Sequence, residues 1–481
     1  MNFEQIPNGL RVPGFWTEFD NSAAAGSGVM PWQVLLIGSM LAAGTAEANV
    51  PVQIYSDDEA DKLFGKGSQA ALMTRAFRKN NSLMALWVVG VADGTTKAEK
   101  EVTFTGPATA AGVLALYVGG QLVNVAVKSG DTASDVADSV VAAVTADGNL
   151  PVTATASSGV VTFEAKNGGT AGNSIDIRVN YAPGEVLPSG LGVSGTGLLA
   201  GGAGDPSLTD VIANIGAQWF NIFVSGFSSS ATLTALKNEC EARWEATNQK
   251  TVVTIYGDNS DGAATAVAEI NSRVLVDLPL PKSPTTAFEM AAAGAGVIAQ
   301  SAEADPAMPL GNLAVKGILA PAMKDRKNLN AENAMLAAGG SLLNAASDGT
   351  VYLRRTVTTY KKNAAGADDD SYMQLETIFT LSFIRWDWNN YMASKYPRAK
   401  LAQDGYEYGE GQVVITPKKG RAEALSRFDY WMRIGVAQDA ETFKEFLVVE
   451  INAQNPYRLD FLLPATLMKQ LFTVATKLQF R

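Results

Sequence analysis

The 481-residue chain contains no histidine and a single cysteine, Cys240. Without histidine it lacks the side chain that most readily moves protons near neutral pH and the commonest metal ligand. Ser-His-Asp and Cys-His catalytic arrangements are therefore excluded. One cysteine forms no intrachain disulfide and no thiolate metal cluster. Cys240 sits in a helix-like run with Leu236, Lys237 and Trp244 and reads as a small buried apolar residue. Positive charge is in deficit. The net charge of −10 is the wrong sign for a phosphate backbone, so no nucleic acid partner is expected. The same acidity keeps concentrated protein soluble. Long apolar runs are also missing. The most apolar window, Val29 to Ala43, carries Pro31 and Gln33 and is shorter than the ~20 residues that span a bilayer. No membrane insertion is expected. The opening Met1-Asn-Phe-Glu-Gln has no basic stretch followed by an apolar one, so synthesis and retention in the cytoplasm are expected.

Nucleotide and metal motifs are equally scarce. Gly65-Lys-Gly-Ser68 looks like a fragment of a Walker A loop but lacks the first glycine, and reads as a turn between helices. Gly294-Ala-Gly296-Val-Ile-Ala299 matches G-x-G-x-x-A, yet a dinucleotide site needs that pattern directly after a strand. Here it follows the helical run Phe288 to Ala293, and close helix packing explains it better. Asp258-Asn-Ser-Asp-Gly262 with Glu269 resembles a calcium loop, but its sixth position is Ala263 where glycine belongs. A strand-to-helix turn accounts for it. Asp368-Asp-Asp370 reads as a solvated loop. The 48 acidic residues offer many carboxylate pairs and single out none for glycoside chemistry. No catalytic residue, cofactor or metal is expected, and the chain reads as non-enzymatic.

What is present is a globular composition, 47% hydrophobic and 18% charged, long enough for about three domains. The fold class reads as α/β (α+β multidomain). Residues 1–28 read as an extended arm: Pro7, Gly9, Pro13 and Gly14 break helices, and Phe15, Thr17 and Phe19 alternate with Trp16, Glu18 and Asp20. Ala23 to Gly28 is a hinge. Residues 29–100 read as the first part of an α/β core. Val34–Ile37 and Leu86–Val91 are apolar runs typical of strands covered on both faces, and Ser56 with Glu59 suggests a capped helix running through Phe77.

Between 101 and 200 charge falls and a β-β-α-β-β-β order predicts an inserted β-rich domain. Gly119-Gly120 marks a hairpin, and Asp131 or Thr132 caps a helix. From 201 to 346 the α/β rhythm resumes, with strands 219–224, 252–255 and 274–276. Helices are expected near 232–246, 264–272, 286–303 and 332–346. Residues 347–481 are rich in aromatics, with a strand at 351–357 and a long helix from Met373 to Tyr396. Two strands follow, Phe446 to Ile451 and Tyr457 to Leu463.

The C-terminus is the most specific signal. Phe472, Val474, Leu478 and Phe480 share one face, and Thr473, Ala475, Lys477, Gln479 and Arg481 the other, a period of two where most chains fray. Such a strand needs a sheet to join. Either both ends pair within their own chain, or they add to a neighbouring copy.

Taken in order, the sequence resembles the contractile phage tail sheath family, in particular the Mu-like type. The resemblance rests on Gly9-Leu-Arg-Val-Pro-Gly-Phe15, Tyr117-Val-Gly-Gly-Gln121, Lys166-Asn-Gly-Gly-Thr-Ala-Gly-Asn-Ser174, Arg354-Arg-Thr-Val-Thr-Thr-Tyr360 with Ser371-Tyr-Met373, and the C-terminal strands. No single part is a strong motif; order and spacing carry it.

The resemblance implies rings of identical subunits stacked as a helical sleeve around a tail tube protein, with baseplate and tail terminator proteins at its ends. It implies contraction that drives the tube through the host envelope, and a place in the virion tail after assembly in the host cytoplasm. Carried onto this chain, the incoming arm residues are Val12, Phe15, Trp16, Phe19, Phe472, Val474, Leu478 and Phe480. The receiving strands hold Phe446, Val448, Glu450, Arg458, Asp460 and Leu462, in a domain at 347–481 nearest the tube, with 101–200 outward. The competing reading is a surface module binding a carbohydrate or receptor, whose sign would be a pocket lined by exposed aromatics. The 101–200 stretch offers only Phe104, Tyr117, Phe163 and Tyr181.

Overall fold

The computed structural model describes residues 30–480 apart from 407 and 410. Two compact units emerge. One contains Trp32–Ser382 and the chain from Leu467 onward; the other contains Phe383–Thr466, and the boundary falls inside the helix Leu375–Lys395.

In the first unit a six-stranded sheet runs in the order Leu275–Pro279, Val253–Asp258, Ile222–Ser225, Gln33–Ser39, Ala85–Val91, Pro51–Ile54. All neighbours are parallel except the last pair. The apolar run of the central strand is the reason it lies inside. Val34 and Leu36 enter one core with the helices Gln69–Arg78 and Ala287–Ala304. Leu35 and Ile37 enter another on the opposite face with Val211, Leu236 and Cys240. A strand covered on both faces has no polar alternation to show.

The expected helix from Ser56 through Phe77 is two helices, Asp57–Phe64 and Gln69–Arg78. Gly65 and Gly67 adopt φ of +87° and +77°, which a helix cannot continue through. The Ala-rich segment expected as a helix over 332–346 stops at Ala338, where Gly339 takes a left-handed cap at φ +91°, and resumes as the strand Leu342–Ala345. The G-x-G-x-x-A pattern lies inside the helix Ala287–Ala304. A Cβ on Gly294 would stand 2.4 Å from Leu278 Cδ1, and one on Gly296 3.0 Å from the Phe77 carbonyl. Both glycines serve close packing. The calcium-like segment is the turn between the strand Val253–Asp258 and the helix Ala263–Ala268. Among the described residues, no group of three or more acidic or thiol side chains is arranged to hold a metal. No helix among them is long and apolar enough to cross a membrane.

Residues 97–198 build two four-stranded sheets around the helix Ala133–Ala146, with their own apolar core that includes Phe104, Leu116, Val140 and Phe163. Thr132 caps that helix in a reciprocal box with Asp135. Gly119 and Gly120, at φ +57° and +84°, turn the hairpin between Gly112–Val118 and Gln121–Val127. A three-stranded sheet, Leu313–Ala314, Val351–Arg355 and Leu342–Ala345, completes the unit, with Val351–Arg355 in the middle.

The second unit is held by aromatic packing and one buried ion pair. Its helix Pro417–Arg433 starts with Thr416 as N-cap and Pro417 in the first turn, where a missing N–H costs nothing. This helix packs beside the last turns of Leu375–Lys395. Asp387, 1% exposed, accepts from Arg427 Nε at 2.6 Å, from Arg427 Nη2, and from Trp431 Nε1 at 2.7 Å. Phe428 stacks on Phe443 at 3.8 Å between centroids.

Candidate assembly surfaces

Two strands, Val448–Ile451 and Leu459–Leu462, form an antiparallel hairpin that pairs with no third strand among the described residues. The register places Val448 opposite Leu462, Val449 opposite Phe461, and Glu450 opposite Asp460. Because side chains alternate, Val449 and Phe461 face the helix Pro417–Arg433. A Cβ on Gly420 would meet Phe461 Cζ at 3.0 Å and Val449 Cγ1 at 3.1 Å. Phe461 also packs edge-on against Trp388 at 5.1 Å. The opposite face shows Val448, 45% exposed, Leu462, 60% exposed, and the acidic pair Glu450 and Asp460. A two-stranded ribbon is marginal in water, and each free edge is a row of unpaired N–H and C=O groups.

Of the receiving residues inferred from sequence, Val448, Glu450, Asp460 and Leu462 share that outer face. Phe446 does not belong to the strand. It ends the helix Ala440–Phe446, whose cap Asp439 accepts from Thr442 N, and the strand begins two residues later. Arg458 precedes its strand and closes onto Asp460, with Nε donating to Oδ1 at 2.6 Å; Asn452 Nδ2 donates to Oδ2 at 2.6 Å. These contacts hold the Asp460 carboxyl below the usual carboxylate range. The turn at 452–457 is therefore stapled by side chains, with Tyr457 almost wholly exposed.

The C-terminal segment belongs to the other unit. The strand expected from Phe472 onward has no ladder partner among the described residues: 468–480 carry no regular secondary structure. Phe472 is half-buried beneath the Arg355 guanidinium, 4.5 Å from the ring centroid. Val474, Leu478 and Phe480 are 74%, 87% and 91% exposed. From Thr473 to Phe480, neither face of the alternation is covered by the described residues. The N-terminal arm residues Val12, Phe15, Trp16 and Phe19 lie outside the described residues.

Sequence reasoning missed the platform under the hairpin: Asp387, Arg427, Gly420 and Trp431. Thr416-Pro417, a capping residue followed by proline, is the signal that would have located the helix carrying three of them.

Two hollows bear on ligand binding. One, of about 610 Å³, opens at the carboxyl end of Val253–Asp258, beside Leu275 and Asp277; Tyr256 is the one aromatic lining it, and that ring is 4% exposed. The other, of about 430 Å³, lies beside Gly112–Val118 and has no aromatic lining. Phe104, Tyr117 and Phe163 are buried in the 97–198 region. Tyr181 is half-buried there and donates to the Ala320 carbonyl. The exposed aromatic platform of a carbohydrate binder is absent from the described residues of that region.

The family model of the phage tail sheath protein central domain matches residues 201–359. The chain is 36% identical to the Mu-like prophage FluMu tail sheath protein of Haemophilus influenzae, over all of this chain and 99% of that one. Its fold is similar to the sheath of an extracellular contractile injection system, the PVC sheath complex in its contracted state, with a TM-score of 0.51 at 10% identity over 98% of each chain. It is similar too to the anti-feeding prophage helical sheath in its contracted state, with a TM-score of 0.50 at 12% identity over 98% of this chain and 99% of that one. With the full-length identity above, the chain belongs to the contractile phage tail sheath protein family, of the Mu-like type.

Proposed function

We propose that this sheath subunit polymerises with copies of itself into a helical sleeve around a tail tube, and that neighbouring copies are joined by donated strands. The hairpin Val448–Ile451 and Leu459–Leu462 receives, and the segment that follows Phe472, through Phe480, is donated, together with the N-terminal arm holding Val12, Phe15, Trp16 and Phe19. The observation that carries this reading is a two-stranded ribbon with no further strand on either edge among the described residues, in a chain whose alternating C-terminus joins no sheet among them. A strand added to an edge gains main-chain hydrogen bonds, and alternate side chains supply the fit.

The energetics favour linkage that is weak singly and cooperative in number. About eight hydrogen bonds at about 1 kcal/mol each and three buried apolar side chains at about 2 kcal/mol each are opposed by about 10–20 kcal/mol for ordering ten residues. One arm nearly balances. Two arms per subunit, held close in a ring, gain from effective concentration. The sleeve works mechanically, with no nucleotide turned over. Contraction rearranges the globular bodies while the arms keep them connected, and the tube is driven into the host envelope for genome delivery. A baseplate and a terminator protein bound the sleeve, which is a virion component assembled in the host cytoplasm. Deleting residues 470–481, or 1–20, is expected to abolish long tubes in negative-stain micrographs of purified protein. Normal long tubes from both truncations would overturn the tether role.

A further inference from the structure

We infer that Arg355 is a positioning residue: it clamps the root of the C-terminal arm at Phe472, so that each subunit offers Thr473–Phe480 to a neighbour and nothing earlier. The inference rests on the strand-donation reading and adds where the arm begins.

Three independent features place the root. The first is a change in exposure, from alternately covered residues, with Lys469 and Leu471 outward, to continuously exposed ones. Leu467, Met468, Gln470 and Phe472 are each partly covered, whereas every residue from Thr473 to Phe480 is exposed. The second is a hydrogen bond from Gln470 Nε2 to the Ala307 carbonyl at 3.2 Å. The third is the Arg355 guanidinium over the Phe472 ring at 4.5 Å, inside the range where a cation and an aromatic face attract.

Arg355 is built to hold such a ring. It ends the central strand of the three-stranded sheet, where its backbone pairs with Leu342. Its guanidinium is half-buried, and Nε has no hydrogen-bond partner. The nearby carboxylate, fully buried Glu376, has one oxygen occupied by Leu310 N at 2.7 Å and the other without a partner. A half-buried cation whose Nε lacks an acceptor gains from a π face laid over it. Phe472 supplies that face.

The consequence is register and reach. Because side chains alternate along a strand, a slip of one residue would turn Val474, Leu478 and Phe480 to the wrong side. A fixed Phe472 sets the phase. Eight free residues at about 3.3 Å each reach about 26 Å, so the receiving hairpin of a neighbour must come within that distance of Phe472. Release of Phe472 together with the Gln470 bond would free the chain from about residue 468 and lengthen the tether by roughly half.

Trypsin reads the clamp directly, since Lys469 and Lys477 stand on either side of it. In the unassembled full-length subunit, cleavage after Lys477 is expected to be at least about tenfold faster than after Lys469. Arg355→Ala and Phe472→Ala should each bring the two rates within about twofold, with the melting temperature unchanged in Phe472→Ala. Phe472→Trp should restore the difference. Phe472→Ala, on an exposed terminal segment, keeps the test valid if Arg355→Ala misfolds. Equal rates in the wild type, or an unchanged ratio in Phe472→Ala, would overturn the clamp. This assay requires no polymer, whereas tube formation by the truncated chain tests strand donation, so either idea can fail without the other.

Discussion

Removing the Asp387 carboxylate tests how the hairpin's platform is held. Asp387→Ala deletes the acceptor of two Arg427 donors and of Trp431 Nε1 at once. The Arg427 side chain is 11% exposed and Trp431 is fully buried, so water cannot replace the lost partner. Breaking a buried pair by removing one member costs about 3–5 kcal/mol, because the survivor's charge loses its buried counter-charge. The faces of Tyr430, 4.1 Å from the guanidinium, and Tyr391, 4.9 Å away, keep part of the compensation. A net loss of about 3 kcal/mol is therefore expected, which shifts a urea midpoint by on the order of 2 M at the slopes of small units. The double variant Asp387→Leu with Arg427→Met should recover most of it, since an apolar pair of similar volume is often neutral or stabilising. Tryptophan fluorescence follows this unit well, as Trp386, Trp388 and Trp431 all belong to it. An Asp387→Ala midpoint indistinguishable from wild type would refute the reasoning, and so would a double variant as damaged as the single one.

Two further outcomes follow from the same structure. Gly420→Leu should unseat the hairpin, because Phe461 and Val449 already lie within about 3 Å of where its Cβ would stand. The helix itself gains propensity from losing glycine, so circular dichroism should be unchanged while polymerisation falls; polymer yield equal to wild type would contradict the platform's role. Glu289 should make stability fall as pH rises. Burial pushes its carboxyl up from 4.5 to about 7, against the Thr286 hydrogen bond and the attraction of Arg75 and Lys79. A raised carboxyl binds its proton more tightly in the folded state, so this contribution is complete below about pH 4.5 and is lost by about pH 7, at most about 3 kcal/mol. Glu289→Gln should flatten that part of the pH–stability curve; an identical slope in the variant would contradict the assignment.

Much of this was legible in the chain itself, for physical reasons. Val34–Ile37 and Leu86–Val91 announced covered strands because both faces are apolar, and Gly119-Gly120 and Thr132 carry turn and cap chemistry that acts locally. The α/β class followed from those rhythms. Other features depend on contacts far along the chain. Asp387 sits among aromatics in a helix whose sequence suggests burial all round, and donors forty or more residues later, Arg427 and Trp431, make a carboxylate acceptable there. Phe446 looked like the start of a strand because it is apolar and followed by Val448 and Val449, yet Asp439 caps a helix that carries through it. The pause at Gly65–Gly67 and the stop at Gly339 are set by positive φ, which a residue pattern hints at without locating. The C-terminal alternation was plain, but no periodicity could reveal the Arg355 guanidinium over Phe472.

Strand donation between copies can be measured most directly by crosslinking. Cys240 is the chain's one cysteine, is buried and has its thiol pushed up to about 12 by burial, so it can stay in place as an unreactive background. One variant carries Glu450→Cys on the hairpin, and a set of others carries single cysteines from Val474 to Phe480. A mixture of the two kinds, assembled and then oxidised, can form a 450-to-arm disulfide only between different molecules. The account predicts such crosslinked dimers at alternate arm positions, in the polymer and not in the dilute subunit. Assembled tubes without that crosslink at any arm position would contradict it.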